Sequence, residues 1–236
     1  MVVNPYSSIH DVDNEKFRIE WTEKQLTDLL LLHPGLEILD IGAGSSPFRE
    51  VIERNNGVYQ SHDFNLYIPS QDEPGIQNSS WRYAPHIYVC DIMDIPTDRK
   101  FDVILCTEVL EHVPDPANAL KLMFNLLKPK GIIIVTVPFL SLMHQAPYWF
   151  SSGLSPYWFI HWSEKHQINI KALIVSGDYL DLIQQELYRL MANILRVPVI
   201  RRLANLSRYL RLIRRFIPKG ILMSGGFGTF YIGEKA

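Results

Sequence analysis

Short apolar runs of strand length alternate with helical patterns along most of the chain. Leu36 to Asp40 and Val58 to Phe64 have the length of buried strands, and Gly131 to Pro138 is a β-branched run typical of strands covered on both faces. The stretch from Asn14 to Leu32 instead places its apolar residues at helical spacing. This alternation predicts an α/β fold built on a doubly wound, mostly parallel sheet.

The same pattern predicts the other elements and their order. Strands are expected at 36–40, 58–64, 86–92, 101–113 (with its exit turn), 131–138, 168–176 and 226–235. Helices are expected at 14–32, 48–54, 115–127, 155–167, 178–194 and 199–217. Lys128 to Gly131 is expected to close the helix that starts at Asp115.

Composition is that of an ordinary globular chain with one uneven feature. The 236 residues can bury a large core, the formal net charge is −2, and 20% of the residues are charged. Cys90 and Cys106 end apolar runs and are expected to be buried, reduced thiols. The sequence has no signal-peptide pattern and no apolar run near about 18 residues, which predicts a cytoplasmic protein. Charge is uneven because residues 187–236 carry about +9 and the first 186 about −11.

The stretch from Leu36 to Phe48 joins the first strand to a helix through a glycine turn. Asp40 ends the strand, Gly42 and Gly44 form the turn, and Pro47 stands at the helix start. Glycines permit positive φ angles and leave room for a ligand where a Cβ would stand, and a helix start offers unpaired N–H groups. A dinucleotide fingerprint has glycine where Pro47 stands, and Asp40 would repel phosphate, so the turn favours a cationic ligand. A loop without a ligand is the alternative.

Further polar residues follow the next strands at the same edge. Asp63 ends the second strand, 23 residues after Asp40, where a carboxylate can accept both hydrogens of a ribose diol. Asp91 ends the third strand, where it either meets a ligand or caps a short helix. Glu108 leaves the fourth strand, and His112 lies four residues on, which puts both on one face if the turn is helical. These side chains are therefore expected to surround one site.

These ordered motifs resemble those of the class I S-adenosylmethionine-dependent methyltransferases. Asp-Ile-Gly-Ala-Gly at 40–44 is similar to their motif I. Phe-Asp-Val-Ile followed by Glu-Val-Leu-Glu-His-Val, within 101–113, resembles motif IV and its turn in small-molecule methyltransferases. The resemblance implies a Rossmann-like sheet of seven strands in the order 3-2-1-4-5-7-6, the last one antiparallel. It also implies the cofactor S-adenosyl-L-methionine, bound through Asp40, Gly42, Gly44, Asp63, Asp91, Ile92 and Glu108.

The segment after the fifth strand extends the resemblance to the acceptor side. Residues 138–166 are rich in aromatic side chains, and their first part resembles the acceptor-binding segment of the same methyltransferases, although the usual Asp-Tyr-Trp-Arg is absent. In this interpretation His144 is the candidate general base and Glu108 lies beside the reacting methyl. His112 either points toward the substrate or serves as a structural hydrogen-bonding group. No close ligand pair among the histidines indicates a zinc site, so no metal is expected.

The resemblance implies methyl transfer to a small-molecule, glycan or lipid-linked acceptor, at oxygen. The single domain, 1–236, then comprises a helical cap at 1–33, a cofactor-binding half at 34–137 and a substrate-side half at 138–236. Three aromatic residues of the cap either close over the ligand or pack in the core: Tyr6, Phe17 and Trp21. A nicotinamide-dependent oxidoreductase is disfavoured by the glycine turn described above.

The basic end of the chain has a separate interpretation. Residues 178–220 are expected to form a basic helical insertion before the last strand, and 199–217 to form an amphipathic helix with arginines around an apolar stripe. Residues 196–219 either contact an anionic membrane peripherally, at its inner surface, or pack on the sheet with a solvated arginine face. No nucleic acid is expected. The alternative function is a non-catalytic, cofactor-binding scaffold that this helix recruits to membranes.

Overall fold

A seven-stranded sheet organises the computed structural model, which describes residues 14–78, 80–189, 214–222 and 224–236. The strands are β1 (Glu37–Ile41), β2 (Val58–Asp63), β3 (Tyr88–Val89), β4 (Phe101–Thr107), β5 (Leu127–Pro138), β6 (Ile168–Ser176) and β7 (Gly228–Lys235). They lie in the order β3-β2-β1-β4-β5-β7-β6. The pairs from β3 to β5 are parallel, and β7 runs antiparallel to both of its neighbours. The predicted fold class and strand order are confirmed.

Helices cover both faces of this sheet. They are α1 (Asn14–Leu32), α2 (Arg49–Arg54), α3 (Pro116–Leu126), α4 (Pro156–Lys165), α5 (Tyr179–Arg189) and α6 (Lys219–Leu222). Short 3₁₀ helices span Ile92–Asp94, Leu110–His112 and Arg214–Phe216. At the start of α3 the Asp115 carboxylate accepts the Asn118 N–H at 3.1 Å and Pro116 occupies the first turn. That helix therefore begins where the sequence predicts.

The central strands β1 and β4 carry apolar residues at successive positions because each face of the sheet has its own core. Ile38 and Val103 point to one face, where they pack with residues of α1 and α2. Their neighbours Leu39 and Ile104 point to the other face, against α3 and α4. Burying each such side chain contributes about 1.5–3 kcal/mol. Cys106 lies inside the second core as a free thiol.

The aromatic residues of α1 pack in the core and do not cover a site. Phe17 stacks on Phe230 with ring centroids 5.5 Å apart, and Trp21 lies 5.0 Å from the same ring. Phe230 belongs to β7 and is fully buried. Of the two interpretations of these residues, core packing is therefore correct for Phe17 and Trp21, and Tyr6 lies outside the described residues.

Strand β5 begins earlier than the apolar pattern predicts. Helix α3 ends at Leu126, and Lys128 to Gly131, predicted to close the helix, already belong to β5. Lys128 bridges the carboxylates of Asp102 and Glu37 at 2.9 and 3.1 Å. These ion pairs join the polar start of β5 to β1 and β4. Because the paired residues are distant in sequence, the local apolar pattern does not predict them.

The basic segment lies largely beyond the described residues. Helix α5 supports the first part of the helix predicted at 178–194, whereas 199–213 of the predicted amphipathic helix is not described. Its last part contains the 3₁₀ turn Arg214–Phe216. Membrane contact through 196–219 stays a prediction. Among the described helices, none combines the length and the apolar character needed to cross a membrane.

Candidate active site

The glycine turn after β1 is held by a carboxylate from β2. Gly42 and Gly44 have φ angles of 69° and 53°, in the left-handed region that glycine adopts at no steric cost. The Gly44 N–H donates to Asp63 Oδ2 at 2.9 Å, and Asn65 N–H donates to Asp63 Oδ1 at 3.0 Å. Asp63 therefore shapes the turn and still keeps a second lone pair on each oxygen for a ligand.

Side chains fill the space beside both glycines, which differs from the prediction that this space is left for a ligand. A Cβ on Gly42 would lie 2.3 Å from Val109 Cγ2, and a Cβ on Gly44 would lie 2.9 Å from Cη2 of Trp81. Both side chains come from segments distant in sequence. The glycines are thus required by their φ angles and by these close contacts, and the Trp81 indole forms a wall over the turn.

Asp40 lies behind the turn rather than at an open surface. It is 1% exposed, and the Tyr59 hydroxyl donates to its Oδ2 at 2.9 Å. Burial raises the pKa of Asp40 to about 7, the Tyr59 hydrogen bond lowers it, and the nearby Asp63 carboxylate raises it. Tyr59 of the neighbouring strand occupies one oxygen of this carboxylate, and its direct contact with a cationic ligand stays a prediction.

Asp91 and Ile92 stand just beyond the end of β3. Asp91 caps the 3₁₀ helix, since its Oδ1 accepts the Met93 N–H at 2.9 Å. Its side chain is exposed, so a second lone pair and the other oxygen face solvent. The Ile92 side chain is buried in the core below. The capping role proposed from the sequence is present, and the ligand role of both residues stays a prediction.

The residues around the turn fit a nucleoside-bearing cofactor by their chemistry. Asp63 and Asp91 offer carboxylate acceptors at the ends of neighbouring strands. The benzene ring of the Trp81 indole lies against Gly44. Two carboxylates beside an aromatic ring suit the hydroxyls and the base of a nucleoside.

An open cleft lies on the other side of the β4 end. Glu108 follows β4 with a φ of 56°, its N–H donates to the Thr136 carbonyl at 2.8 Å, and its side chain lines the cleft. The remaining wall includes Leu142, His144 and Phe227. The cleft therefore places a carboxylate and an imidazole among apolar side chains.

The structure brings His112 and His144 together at one end of this cleft. Their rings meet edge to face, with centroids 4.8 Å apart. His112 Nδ1 is hydrogen-bonded to the Tyr148 carbonyl, and burial lowers the pKa of His112 to about 4, so the ring is neutral at neutral pH. The four-residue spacing from Glu108 does not determine this position, because the backbone is left-handed at Glu108 and forms a 3₁₀ turn from Leu110.

Glu111 is the residue of this corner that sequence reasoning missed. It is fully buried, and neither carboxylate oxygen has a hydrogen-bond partner among the described residues. Burial raises the pKa of Glu111 well above its ordinary value, and the charge of Glu108 raises it further. The signal was an acidic residue between the apolar Leu110 and Val113, where a charge is not expected without a partner.

Including Glu111 gives a close set of potential metal ligands, which the histidines considered from the sequence did not provide. One potential ligand atom from each of Glu111, His112 and His144 lies within 4.8 Å of the other two. His112 Nε2 is 3.7 Å from Glu111 Oε1. The prediction from sequence considered histidines alone, and residues 111 and 144 become neighbours only when the segment after β5 folds back on the 3₁₀ helix.

Comparisons with known proteins identify the family and the fold. A ubiquinone biosynthesis O-methyltransferase from Coxiella burnetii is 28% identical over 116 residues, which cover 48% of this chain and 46% of that protein. The chain thus spans about half the length of that curated relative. A methyltransferase dependent on S-adenosylmethionine from Archaeoglobus fulgidus has a TM-score of 0.54 at 18% identity and covers 94% of this chain and 97% of its own.

A second solved structure has the same fold with a ligand in place. The magnesium protoporphyrin IX methyltransferase of Synechocystis PCC 6803, with bound S-adenosylmethionine, has a TM-score of 0.51 at 10% identity and covers 98% of this chain and 86% of its own. The profile of the family described as "Methyltransferase domain" matches residues 15–173. This match covers β1 to β5, the glycine turn and most of β6. The chain therefore belongs to the methyltransferase domain family.

Proposed function

We propose that this chain is an S-adenosylmethionine-dependent methyltransferase that methylates a hydroxyl oxygen of a small aromatic molecule. The observation that carries the proposal is the carboxyl edge of the sheet. There, Asp63 and Asp91 follow β2 and β3 beside the glycine turn, and Glu108 follows β4 on the wall of the open cleft. A nucleoside-binding side and an acceptor side thus meet at Glu108.

On the cofactor side, the chain's residues bind and orient. S-adenosylmethionine, when bound, supplies a sulfonium methyl that is already electrophilic, so alignment and exclusion of water account for most of the catalysis. In this proposal Asp63 accepts the ribose hydroxyls and Asp91 accepts the adenine amino group. The Glu108 carboxylate contributes negative charge beside the position where the positive sulfonium would lie.

On the acceptor side, His144 is the candidate proton acceptor. Its Nδ1–H donates to the Leu142 carbonyl at 2.9 Å, which leaves the lone pair on Nε2. The acceptor hydroxyl loses its proton to this Nε2 while its oxygen bonds to the methyl carbon. The electron pair of the broken carbon–sulfur bond stays on sulfur. A neutral imidazole suits this transfer near neutral pH.

An aromatic acceptor is supported by the cleft and by one relative. Leu140, Leu142 and Phe227 supply apolar walls, while Glu108 and His144 supply the polar contacts. The printed name of the Coxiella burnetii relative describes an O-methyltransferase of ubiquinone biosynthesis. Phenols and catechols therefore form the acceptor class that we propose for this chain.

Transfer of a labelled methyl group tests the proposed function. We expect the protein to move label from S-adenosylmethionine to a catechol, and not to the same ring with both oxygens already methylated. Glu108→Gln should lower the rate about 10²- to 10³-fold, the size of a typical electrostatic contribution. His161→Ala, an exposed histidine of α4, serves as the control and should leave the rate unchanged. Transfer of label to carbon or nitrogen would contradict the proposal. So would a protein that binds the cofactor but transfers no label to any phenol.

A further inference from the structure

The function proposed above gives the Glu111 carboxylate no role. It is 0% exposed, its two oxygens have no hydrogen-bond partner in the described ranges, and it faces the two imidazoles of His112 and His144. A buried carboxylate of this kind is costly unless it is protonated or a positive group neutralises it, and a bound cation would be such a group. A methyl transfer that used only His144 as a base would leave Glu111 unexplained.

Both imidazoles are hydrogen-bonded through Nδ1 to backbone carbonyls. His112 Nδ1 bonds to the Tyr148 carbonyl, and His144 Nδ1 bonds to the Leu142 carbonyl. A carbonyl accepts only, so both Nδ1 atoms carry the hydrogen and both Nε2 atoms carry a lone pair. Histidines that bind metals commonly donate their other ring N–H to a backbone carbonyl in this way.

The backbone also fixes the distance between the two sides of the cluster. The Glu111 carbonyl accepts the N–H groups of Phe150 and Ser151 at 2.9 and 3.1 Å. These bonds hold the segment that carries His144 and Tyr148 against the 3₁₀ helix that carries Glu111 and His112. The ligand atoms therefore belong to two segments that are tied together independently of any ion.

We propose that Glu111, His112 and His144 bind a divalent cation that accepts imidazole and carboxylate ligands, of the class of Zn²⁺ and Mn²⁺. One potential ligand atom of each residue lies within 4.8 Å of the other two, so a shared cation would draw these side chains closer together. Three protein ligands leave at least one position open, and His144 lines the cleft, so that position is within reach of a molecule bound there.

The role of the cation rests on the proposed function. A cation at this point would lower the pKa of an acceptor hydroxyl in the cleft and hold its oxygen in place. His144 then acts as a ligand and no longer as the base. The hydroxyl proton passes to the carboxylate of Glu108, which lines the same cleft. The hydroxyl oxygen bonds to the methyl carbon, and the electron pair of the broken carbon–sulfur bond stays on sulfur.

Metal titration of the full chain, stripped by a chelator, tests the site. We expect one equivalent of Zn²⁺ by calorimetry and one of Co²⁺ by its ligand-field absorption. Glu111→Gln, which keeps the side-chain shape and removes the buried charge, should weaken both by at least about 10- to 100-fold, as should His144→Ala. His161→Ala, outside the cluster, should bind like the unaltered protein, and circular dichroism should show all variants folded.

Two outcomes would overturn the inference. One further measurement shows whether the cation site or the proposed function has failed. Absence of stoichiometric binding by the unaltered protein, or equal affinity in Glu111→Gln, excludes the site. Titration of S-adenosylmethionine in the same samples distinguishes the failures, because cofactor binding without metal binding refutes the cation alone. If chelated protein transfers methyl at the full rate and added Zn²⁺ or Mn²⁺ changes nothing, the catalytic role is wrong and His144 remains the base.

Discussion

Gly42→Ala is expected to lower the free energy of unfolding by about 2–5 kcal/mol. A left-handed backbone costs an alanine about 1–2 kcal/mol, and overpacking against a core side chain costs about 1–3 kcal/mol. Both terms apply because Gly42 has a φ of 69° and a Cβ there would lie 2.3 Å from Val109 Cγ2. Urea unfolding followed by circular dichroism measures the change.

Two variants separate the backbone cost of Gly42→Ala from its overpacking cost. Gly35 has a φ of 84°, and a Cβ at this position would have nothing within 4 Å, so Gly35→Ala carries the backbone term alone and should cost about 1–2 kcal/mol. Adding Val109→Ala to Gly42→Ala should remove the clash and leave the backbone term, together with a small cavity cost. If Gly42→Ala costs no more than Gly35→Ala, the close packing of Val109 on the turn is refuted.

Asp40 is expected to make the protein less stable as the pH rises. Its pKa is about 7 in the folded chain and 3.8 ordinarily. A raised folded pKa contributes stability that is fully present below the unfolded pKa and is lost as the pH rises through the folded one. Between pH 4 and pH 8 this group should therefore remove about 4 kcal/mol of folding free energy.

The comparison of Asp40→Asn with the unaltered protein isolates this contribution. Asparagine is neutral at all these pH values, and its amide oxygen can still accept the Tyr59 hydroxyl. The difference in unfolding free energy between the two proteins should grow with pH in favour of the variant, whatever other groups titrate. Equal pH dependence in both proteins would show that Asp40 ionises in the folded chain with an ordinary pKa.

The sheet could be predicted from the sequence because its strands carry their own signal. Ile38 and Leu39 face different cores, as do Val103 and Ile104, and covering on both faces is what produces continuous apolar runs. The order of the strands came from resemblance of motifs rather than from periodicity. The start of β5 was missed because Lys128 joins the sheet through ion pairs with other strands.

The candidate site was predictable only in part, for a related reason. A residue that follows a parallel strand must lie at the carboxyl edge, so Asp63, Asp91 and Glu108 could be placed from spacing alone. The covering of Asp40 by Tyr59 depends on strand pairing. The filling of the space beside Gly44 by Trp81 depends on a long connection folding back over the turn. Such contacts leave no local pattern.

Glu111 shows how far an anomaly in the sequence can lead. An acidic residue within an apolar stretch marked a position that needed an explanation, but the nearby His144 comes from the segment after β5. His112, adjacent in sequence, has its Nε2 3.7 Å from Glu111 Oε1, beyond hydrogen-bond distance. The structure therefore identified the cluster, and the sequence contained only the reason to look for it.

Calorimetric titration of S-adenosylmethionine into the purified protein tests the central claim most directly. The account predicts saturable binding at one site. Asp63→Asn keeps the side-chain shape but removes the charge of the carboxylate that accepts the Gly44 N–H. This variant should bind S-adenosylmethionine about 10- to 100-fold more weakly. Asp98→Asn, an exposed control before β4, should bind it normally. No binding by the unaltered protein, or equal affinity in Asp63→Asn, would contradict the account.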